Sequence, residues 1–477
     1  MGKTLSIIML LIVVTASAQQ KKTTKRPNII FILADDLGYA DLGCYGQQKT
    51  ETPNIDKLAS GGLKFTQYYS GSTVCAPARA TFMMGKHTGH TPVRGNKSFE
   101  PEGQTPLPEN VVTIANVLQQ SGYRTAAFGK WGMGFITTSG DPNKKGFDEF
   151  YGYNCQTLAH NYYPDHLWSN HNRIDFAENK TGKVIYSADT IHAQAMNFIK
   201  SQDNTHPFFL FLPYTLPHGD VICPHDSVYN YYIQKFDEKP LPASTKDGKA
   251  VEERYPHAAF AAMVSRLDKY TGEIVKAISN QGLAENTLMI FCSDNGPHKE
   301  NGGDPEYFQN HGIYRGIKRD LYEGGIRVPF IAYWKGKIQP GITDQWLTLW
   351  DMYPTFQQMA AIPISKDIDG ISILPTLLKK GKQKQHDHLY WEFHENNGRQ
   401  AVRWKNYKLI KLNVNSAVNT KVELYDLMKD PSEKNNLAGM LPAIVKKMEQ
   451  MMKADHTPAI EWPLLSNEVK EKKPVND

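Results

Sequence analysis

The sequence predicts an α/β fold: a large, mostly parallel central sheet flanked by helices, then a smaller C-terminal α+β domain with a short antiparallel sheet. Three observations predict it. Apolar runs rich in β-branched and aromatic residues end abruptly at polar residues, as strands buried on both faces do. Helical patterns fill the intervals, and strands alternating with helices make a parallel sheet covered on both sides. After Leu378 the helices give way to short strands lying close together in sequence.

In chain order, Met1-Gly2-Lys3, the apolar run Leu5–Val14 and Thr15-Ala16-Ser17-Ala18 have the basic start, short apolar core and Ala-x-Ala end of a signal peptide over residues 1–18. The run is short for a bilayer span, so export without stable membrane insertion is expected, to a periplasm or the exterior. Residues 19–26 read as a basic linker. The large domain is expected over residues 27–378. Its first strand is Asn28–Ala34, ending at Asp35-Asp36; Thr125–Phe128, Phe208–Leu212, Leu288–Cys292 and Phe330–Tyr333 are further strands. Thr113–Gln120, Ser187–Lys200 and His257–Ile278 carry helical periodicity. The smaller domain is expected over residues 379–465, with strands in His388–His394, Ala401–Leu412 and Val422–Leu427 and a helix within Lys434–Lys453. Residues 466–477 read as a polar tail.

The 477 residues are 40% hydrophobic and 22% charged, a globular composition, and the length suits two to three domains. The 54 basic and 49 acidic residues nearly balance, which gives no reason to expect nucleic acid as a partner. Five cysteines leave at least one thiol unpaired within the chain.

Asp35-Asp36 places two like charges side by side at a strand end, where a hard cation would relieve their repulsion. Alone, the pair reads equally as a helix cap and a solvated acid. Asp294-Asn295 follows the strand Leu288–Cys292 in the same manner and adds a carboxylate and an amide oxygen. Four oxygen ligands from two strand ends suit calcium or magnesium rather than zinc. In Cys75-Ala76-Pro77-Ala78-Arg79, Pro77 fits the first turn of a helix, so Cys75 is expected just before a helix N-terminus. Exposed N–H groups and the positive dipole end collect there and favour anions. Arg79, one turn further on, points to the same side.

Cys75-Ala76-Pro77-Ala78-Arg79 matches the Cys-x-Pro-x-Arg signature of the type I, formylglycine-dependent sulfatases. Further stretches resemble that family in order: Arg26-Pro27-Asn28-Ile29-Ile30 to Asp35-Asp36-Leu37-Gly38, Thr52–Leu58, Gly85–Gly89, Gly129-Lys130-Trp131, Ser293–Gly296, Tyr322–Pro329, and Leu424–Leu427 with Asp430-Pro431. The resemblance implies an alkaline-phosphatase-like fold and oxidation of Cys75 to formylglycine by a maturation enzyme, followed by hydration to a diol that attacks sulfur. It implies calcium, with magnesium as the alternative, held by Asp35, Asp36, Asp294, Asn295 and position 75. It assigns Arg79 and Lys130 to sulfate charge and diol positioning, and His218 and Lys318 to the leaving group. Gly132 departs from the family, which often has a histidine there for the second diol hydroxyl. His87 and His90 are the candidate substitutes.

Substrate recognition is expected from loops at the metal end of the sheet. His160, Asn161, Tyr162, Tyr163, His166, Trp168 and Arg173 form a polar-aromatic stretch suited to sugar rings and hydroxyls. Arg94, Asn96, His298 and His311 are further candidates, and Trp391, Glu392 and His394 could close the pocket. The stretch resembles that of bacterial polysaccharide sulfatases, which implies a sulfated carbohydrate as partner, with a galactose-type 4-sulfate as the specific expectation. Two alternatives stay open: a phosphomonoesterase or phosphodiesterase of the same superfamily, and a non-catalytic calcium-dependent glycan-binding protein.

Overall fold

Strand β1 (Asn28–Ala34) is buried along its whole length because both of its faces are covered. Ile30, Ile32 and Ala34 point to one apolar layer and Ile29, Phe31 and Leu33 to the other, the two-residue alternation of a strand. The computed structural model describes residues 25–100, 102–244 and 251–469 of the chain. The expected signal peptide, most of the linker and residues 470–477 of the tail lie outside them. No helix among the described residues is long and apolar enough to cross a membrane.

The other strands of the main sheet are β2 (Leu63–Phe65), β3 (Arg124–Lys130), β4 (Glu149–Tyr153), β5 (His166–Ser169), β6 (Asn172–Asp175), β7 (Phe208–Pro213), β8 (Thr287–Ser293), β9 (Phe330–Tyr333) and β10 (Gly341–Thr343). They form one ten-stranded sheet in the order β10-β2-β9-β8-β1-β7-β3-β4-β5-β6. The block from β8 to β4 is parallel. Both flanks bring antiparallel pairings: β9 runs against β8 and β2, and β5 and β6 fold back as a hairpin beside β4. The sheet is therefore mixed, parallel where it carries the site and antiparallel beside it.

Helices α1 (Pro53–Ser60), α4 (Ser187–Lys200), α5 (Ser227–Phe236) and α6 (Pro256–Asn280) cover one face; α2 (Cys75–Met84), α3 (Ile114–Gln120) and α7 (Met352–Met359) cover the other. Thr113 closes a capping box with Asn116 at the start of α3, which fixes that helix one residue later than its apolar periodicity suggested.

A separate four-stranded antiparallel sheet follows, β11 (Leu389–Phe393), β12 (Arg399–Trp404), β13 (Tyr407–Leu412) and β14 (Lys421–Asp426), in sequence order. The run Ala401–Leu412 is thus two strands, broken by a turn at Lys405-Asn406 in which Lys405 is left-handed (φ 53°). One face packs Trp391, Phe393, Ala401 and Ile410 against Tyr69, Val74, Ile326 and Trp350 of the large domain. The other rests on Met448 and Met452 of α8 (Pro442–Asp455). Trp391 Nε1 donates to Ser70 O at 2.9 Å, so this sheet braces the loop that leads into α2. The tail begins as a helical turn, Ser466–Val469, whose Glu468 pairs with His456.

Candidate active site

The carboxyl ends of β1, β3, β7 and β8 converge on the N-terminus of α2. Cys75 is the first residue of that helix and Pro77 lies in its first turn, where a missing N–H leaves no intrahelical bond unmade. Asn96 supplies the cap: its Oδ1 accepts the Ala76 N–H at 3.0 Å. Successive strand residues normally point to opposite faces. Asp36, in the left-handed region (φ 63°), breaks that alternation and lets both carboxylates reach position 75. Such a conformation costs roughly 1–3 kcal/mol for a non-glycine residue and is found where function requires it. Cys75 Sγ lies 3.0 Å from Asp35 Oδ1 and 3.9 Å from Asp36 Oδ1.

Three buried cations surround these acids. Lys130, at the end of β3, donates to Asp35 Oδ2 at 2.8 Å and reaches Cys75 Sγ at 3.7 Å. Arg79 Nη2 bridges Asp35 Oδ2 at 3.2 Å and Asp294 Oδ2 at 3.1 Å. Lys318 Nζ meets Asp36 Oδ2 at 2.8 Å, Glu300 Oε2 at 2.8 Å and His218 Nε2 at 3.2 Å. Burial alone would raise the Asp35 carboxyl, but Lys130, Arg79 and Lys318 hold it well below the usual carboxylate range. Burial, and then the charge of Asp35, push Asp294 up to about 8 in the absence of a metal. Burial and then Asp35 also push the Cys75 thiol well above its ordinary value.

Asp35, Asp36, Asp294 and Asn295 are all fully buried. Asn295 Nδ2 donates to Asp36 Oδ1 at 2.6 Å, while its Oδ1 has no hydrogen-bond partner among the described residues. Three carboxylates and an orphaned amide oxygen form an all-oxygen donor set, which fits a hard cation. Asp35 and Asp36 also gather with Cys75 and His218 into a buried group of ligand atoms able to bind a metal.

His218, just beyond β7, is 2% exposed. Burial, then Lys130 and Lys318, lower its pKa and keep the imidazole neutral. Its loop is held from two sides. Tyr162 Oη donates to Thr215 O at 2.6 Å and His218 O at 3.0 Å. His298 Nε2 lies 3.1 Å from Pro217 O. The His160 ring stands edge-on to His218, with centroids 4.5 Å apart. Of the expected substrate residues, His160, Tyr162 and His298 thus surround His218, and Asn96 caps the nucleophile helix.

The others lie elsewhere. Arg94 is buried, and its guanidinium binds Glu392, Gly89 O, Thr91 O and Thr457 O, stitching the large domain to the small one. Glu392 and His394 belong to that same junction, and Trp391 to the brace under Ser70. His166 is buried between Glu102 and Asp165. Arg173 pairs with Asp175 on the outermost strand. For these residues the expectation that they line the cleft is corrected on those grounds, because side chains already paired in a junction or on a sheet edge are not directed at position 75. His311, whose Nδ1 is unpartnered among the described residues, stays a candidate.

The expectation for His87 and His90 is corrected as well. Both lie past the far end of α2, a ten-residue helix about 15 Å long, and both face Asp369. Next to Gly132 stands an amide instead: a Cβ there would come within 2.0 Å of Gln156 Nε2, so the space a side chain would take is already filled. Sequence reading missed Glu300 and Gln156, both in loops without periodicity; the polar string after Asp294-Asn295 was the only signal for Glu300.

Known proteins are similar to this chain in sequence and in fold. Residues 27–362 match the family profile described as Sulfatase, and residues 309–457 match N-sulphoglucosamine sulphohydrolase, C-terminal. Arylsulfatase A of Homo sapiens is 31% identical, over 90% of this chain and 87% of that protein. The N-acetylgalactosamine-6-O-sulfatase of Bacteroides thetaiotaomicron is 28% identical, over 91% of this chain and 94% of that one. The crystal structure of Ps i-CgsB in complex with k-i-k-neocarrahexaose superposes with a TM-score of 0.74 at 27% identity, over 91% and 94% of the two chains. A profile that spans most of the chain, relatives aligned nearly end to end and a shared alkaline-phosphatase-like architecture place this protein in the sulfatase family, as a sulfuric ester hydrolase.

Proposed function

We propose that this protein hydrolyses sulfate esters of carbohydrates by S–O cleavage, using a formylglycine made from Cys75 and a calcium ion held by Asp35, Asp36, Asp294 and Asn295. The observation that carries the reading is the convergence on position 75. Cys75 opens helix α2 with Sγ 3.0 Å from Asp35 and 3.7 Å from Lys130, beside buried Arg79 and the oxygen donors of Asp36, Asp294 and Asn295. As a formylglycine diol, position 75 supplies one hydroxyl that forms an S–O bond as the ester S–O bond breaks, and a second whose deprotonation frees sulfate and restores the aldehyde. Calcium, when bound, supplies a Lewis acid and template for the sulfate oxygens.

The chain's own side chains do the rest. Arg79 and Lys130 are fixed, fully desolvated cations, and cations preorganised beside developing charge lower a barrier more than mobile ones. Lys318 and His218 stand together on the Asp36 side and deliver the proton to the leaving oxygen. Tyr162 and His298 hold the His218 loop in place.

A sugar substrate is supported by the Bacteroides thetaiotaomicron relative, an N-acetylgalactosamine-6-O-sulfatase, and by the neocarrahexaose bound in the similar crystal structure. A galactose-type 4-sulfate is the first sugar to try. The reading also includes maturation of Cys75 by a formylglycine-generating enzyme, and export, for which the mature N-terminus is expected at Gln19 on sequencing. Matured protein assayed on a panel of defined sugar sulfates, with matched aryl sulfate and aryl phosphate beside it, tests the whole. Sulfate release with little phosphate release supports it. Release of phosphate alone would instead favour a phosphoesterase.

A further inference from the structure

The segment that follows Asp294-Asn295 touches both halves of the leaving-group pair. Glu300 lies at its centre. Its Oε2 accepts from Lys318 Nζ at 2.8 Å and stands 3.9 Å from His218 Nε2. Its Oε1 accepts from Arg319 Nη1 at 2.5 Å. Its backbone N–H donates to His298 Nδ1 at 3.1 Å, and the far nitrogen of that ring holds Pro217 O in the His218 loop. One residue on, Asn301 O accepts the Val221 N–H at 3.0 Å. The packing is close: a Cβ on Gly219 would meet Glu300 Cβ at 2.9 Å.

Lys318 has three donors, and Asp36, His218 and Glu300 direct them. Without Glu300 the ammonium keeps Asp36 as its sole anionic partner and is drawn toward the carboxylate cluster. Arg319, on the opposite side of the Glu300 carboxylate, adopts a left-handed backbone (φ 74°), a conformation uncommon for a long side chain and retained where surrounding contacts fix it. Its N–H binds Thr73 O at 3.0 Å, two residues before Cys75. Glu300 therefore links the loop of Lys318, through its carboxylate, to the loop of His218, through its backbone and His298.

We infer that Glu300 is a positioning residue for proton delivery to the leaving alcohol: it shares the Lys318 ammonium with Asp36 and so holds it beside His218. The inference rests on the assignment of Lys318 and His218 to the leaving group made above. In the step concerned, the ester S–O bond breaks, its electron pair goes to the alcohol oxygen, and one proton moves from the Lys318–His218 pair to that oxygen.

Such a role is read by leaving-group dependence, since a good leaving group departs without a proton and a poor one does not. Glu300→Gln keeps the size and one acceptor oxygen but removes the charge; Glu300→Asp keeps the charge one methylene short. For Glu300→Gln, kcat on alkyl or sugar sulfates should fall about ten- to a hundredfold, less than the roughly 10²–10⁴ of a whole general acid, and at least about tenfold more than kcat on 4-nitrophenyl sulfate. Glu300→Asp should recover part of the loss. Added to Lys318→Ala, Glu300→Gln should cost nothing more, because the two act as one unit. Equal loss across leaving groups, or losses that multiply in the double variant, would overturn the inference. Melting curves of each variant separate misfolding from misplacement. Wild-type protein that turns over no sulfate at all would instead sink the function reading, so the two failures are distinct.

Discussion

Two clusters of buried charge lie near the segment that leads into α2, and they are built for different ends. At the metal end, Asp35, Asp36 and Asp294 face Arg79, Lys130 and Lys318. Under the C-terminal sheet, Lys408 lies between Glu323 at 2.9 Å and Glu433 at 3.1 Å, with Arg327 and Tyr69 also on Glu323. Both place acids against bases. The difference lies in what the acids converge on. Around position 75, Asp35, Asp36, Cys75 and His218 bring metal-type ligand atoms to one place, and burial and the charge of Asp35 push Asp294 up to about 8. In the C-terminal cluster Glu323 is held at about 2 against its burial by Lys408, Arg327 and Arg403. A buried ion pair holding its own counter-charges is a structural device. A buried cluster that gathers oxygen donors around a helix N-terminus is suited to a hard cation.

The comparison can be broken most severely at position 75. Cys75→Ala should lower turnover of an aryl sulfate by a factor on the order of 10⁴ or more, the scale on which loss of a covalent nucleophile acts, while the melting temperature stays close to wild type. A large loss of stability would mean that Cys75 supports the fold. The converse holds for Lys408→Met. Removing that cation strands two buried carboxylates and should destabilise by about 3–5 kcal/mol in a denaturant titration, with kcat per folded molecule unchanged.

Metal removal sharpens the contrast. Calcium at a hundredfold excess over its Kd should stabilise the protein by about 2.7 kcal/mol relative to chelator-treated protein. Asp294→Asn should abolish most of that difference, whereas Lys408→Met should leave it intact. Thermal melts with and without chelator read both.

The smallest effect is one of pH. Burial, and the charge of Glu323 against the pull of Lys408, push Glu433 up to about 7 from an ordinary 4.5. The folded chain thus holds this proton more tightly than the unfolded chain does. Its contribution to stability is full below about 4.5 and is lost as pH rises through 7. Glu433→Gln should flatten the slope of stability against pH across that window, and an unchanged slope would place the titration elsewhere.

Much of this was legible because it is written in short local strings. A buried strand that ends in two acids, a second that ends in Asp294-Asn295, and Cys75 with Arg79 one turn on need no tertiary knowledge to be read. Helix α4 is bounded where its periodicity places it. What failed depends on which loop faces which. Arg94, His166 and Arg173 have the composition of a sugar site, but a side chain's direction is set by partners far away in sequence, such as Glu392 for Arg94 and Glu102 for His166. The sheet's flanks escaped for a related reason: β2 and β10 are three residues each and pair across almost the whole domain. Glu300 carries no pattern at all, and only the fold brings it between Lys318 and His218.

The central claim is that sulfate-ester cleavage depends on conversion of Cys75. Preparations matured to different extents, with the fraction of converted Cys75 measured by mass spectrometry of its tryptic peptide, give the direct test. Plotted against that fraction, the rate of sulfate release should rise in proportion and pass through the origin. A rate that is independent of conversion, or substantial with Cys75 unconverted, would contradict the account.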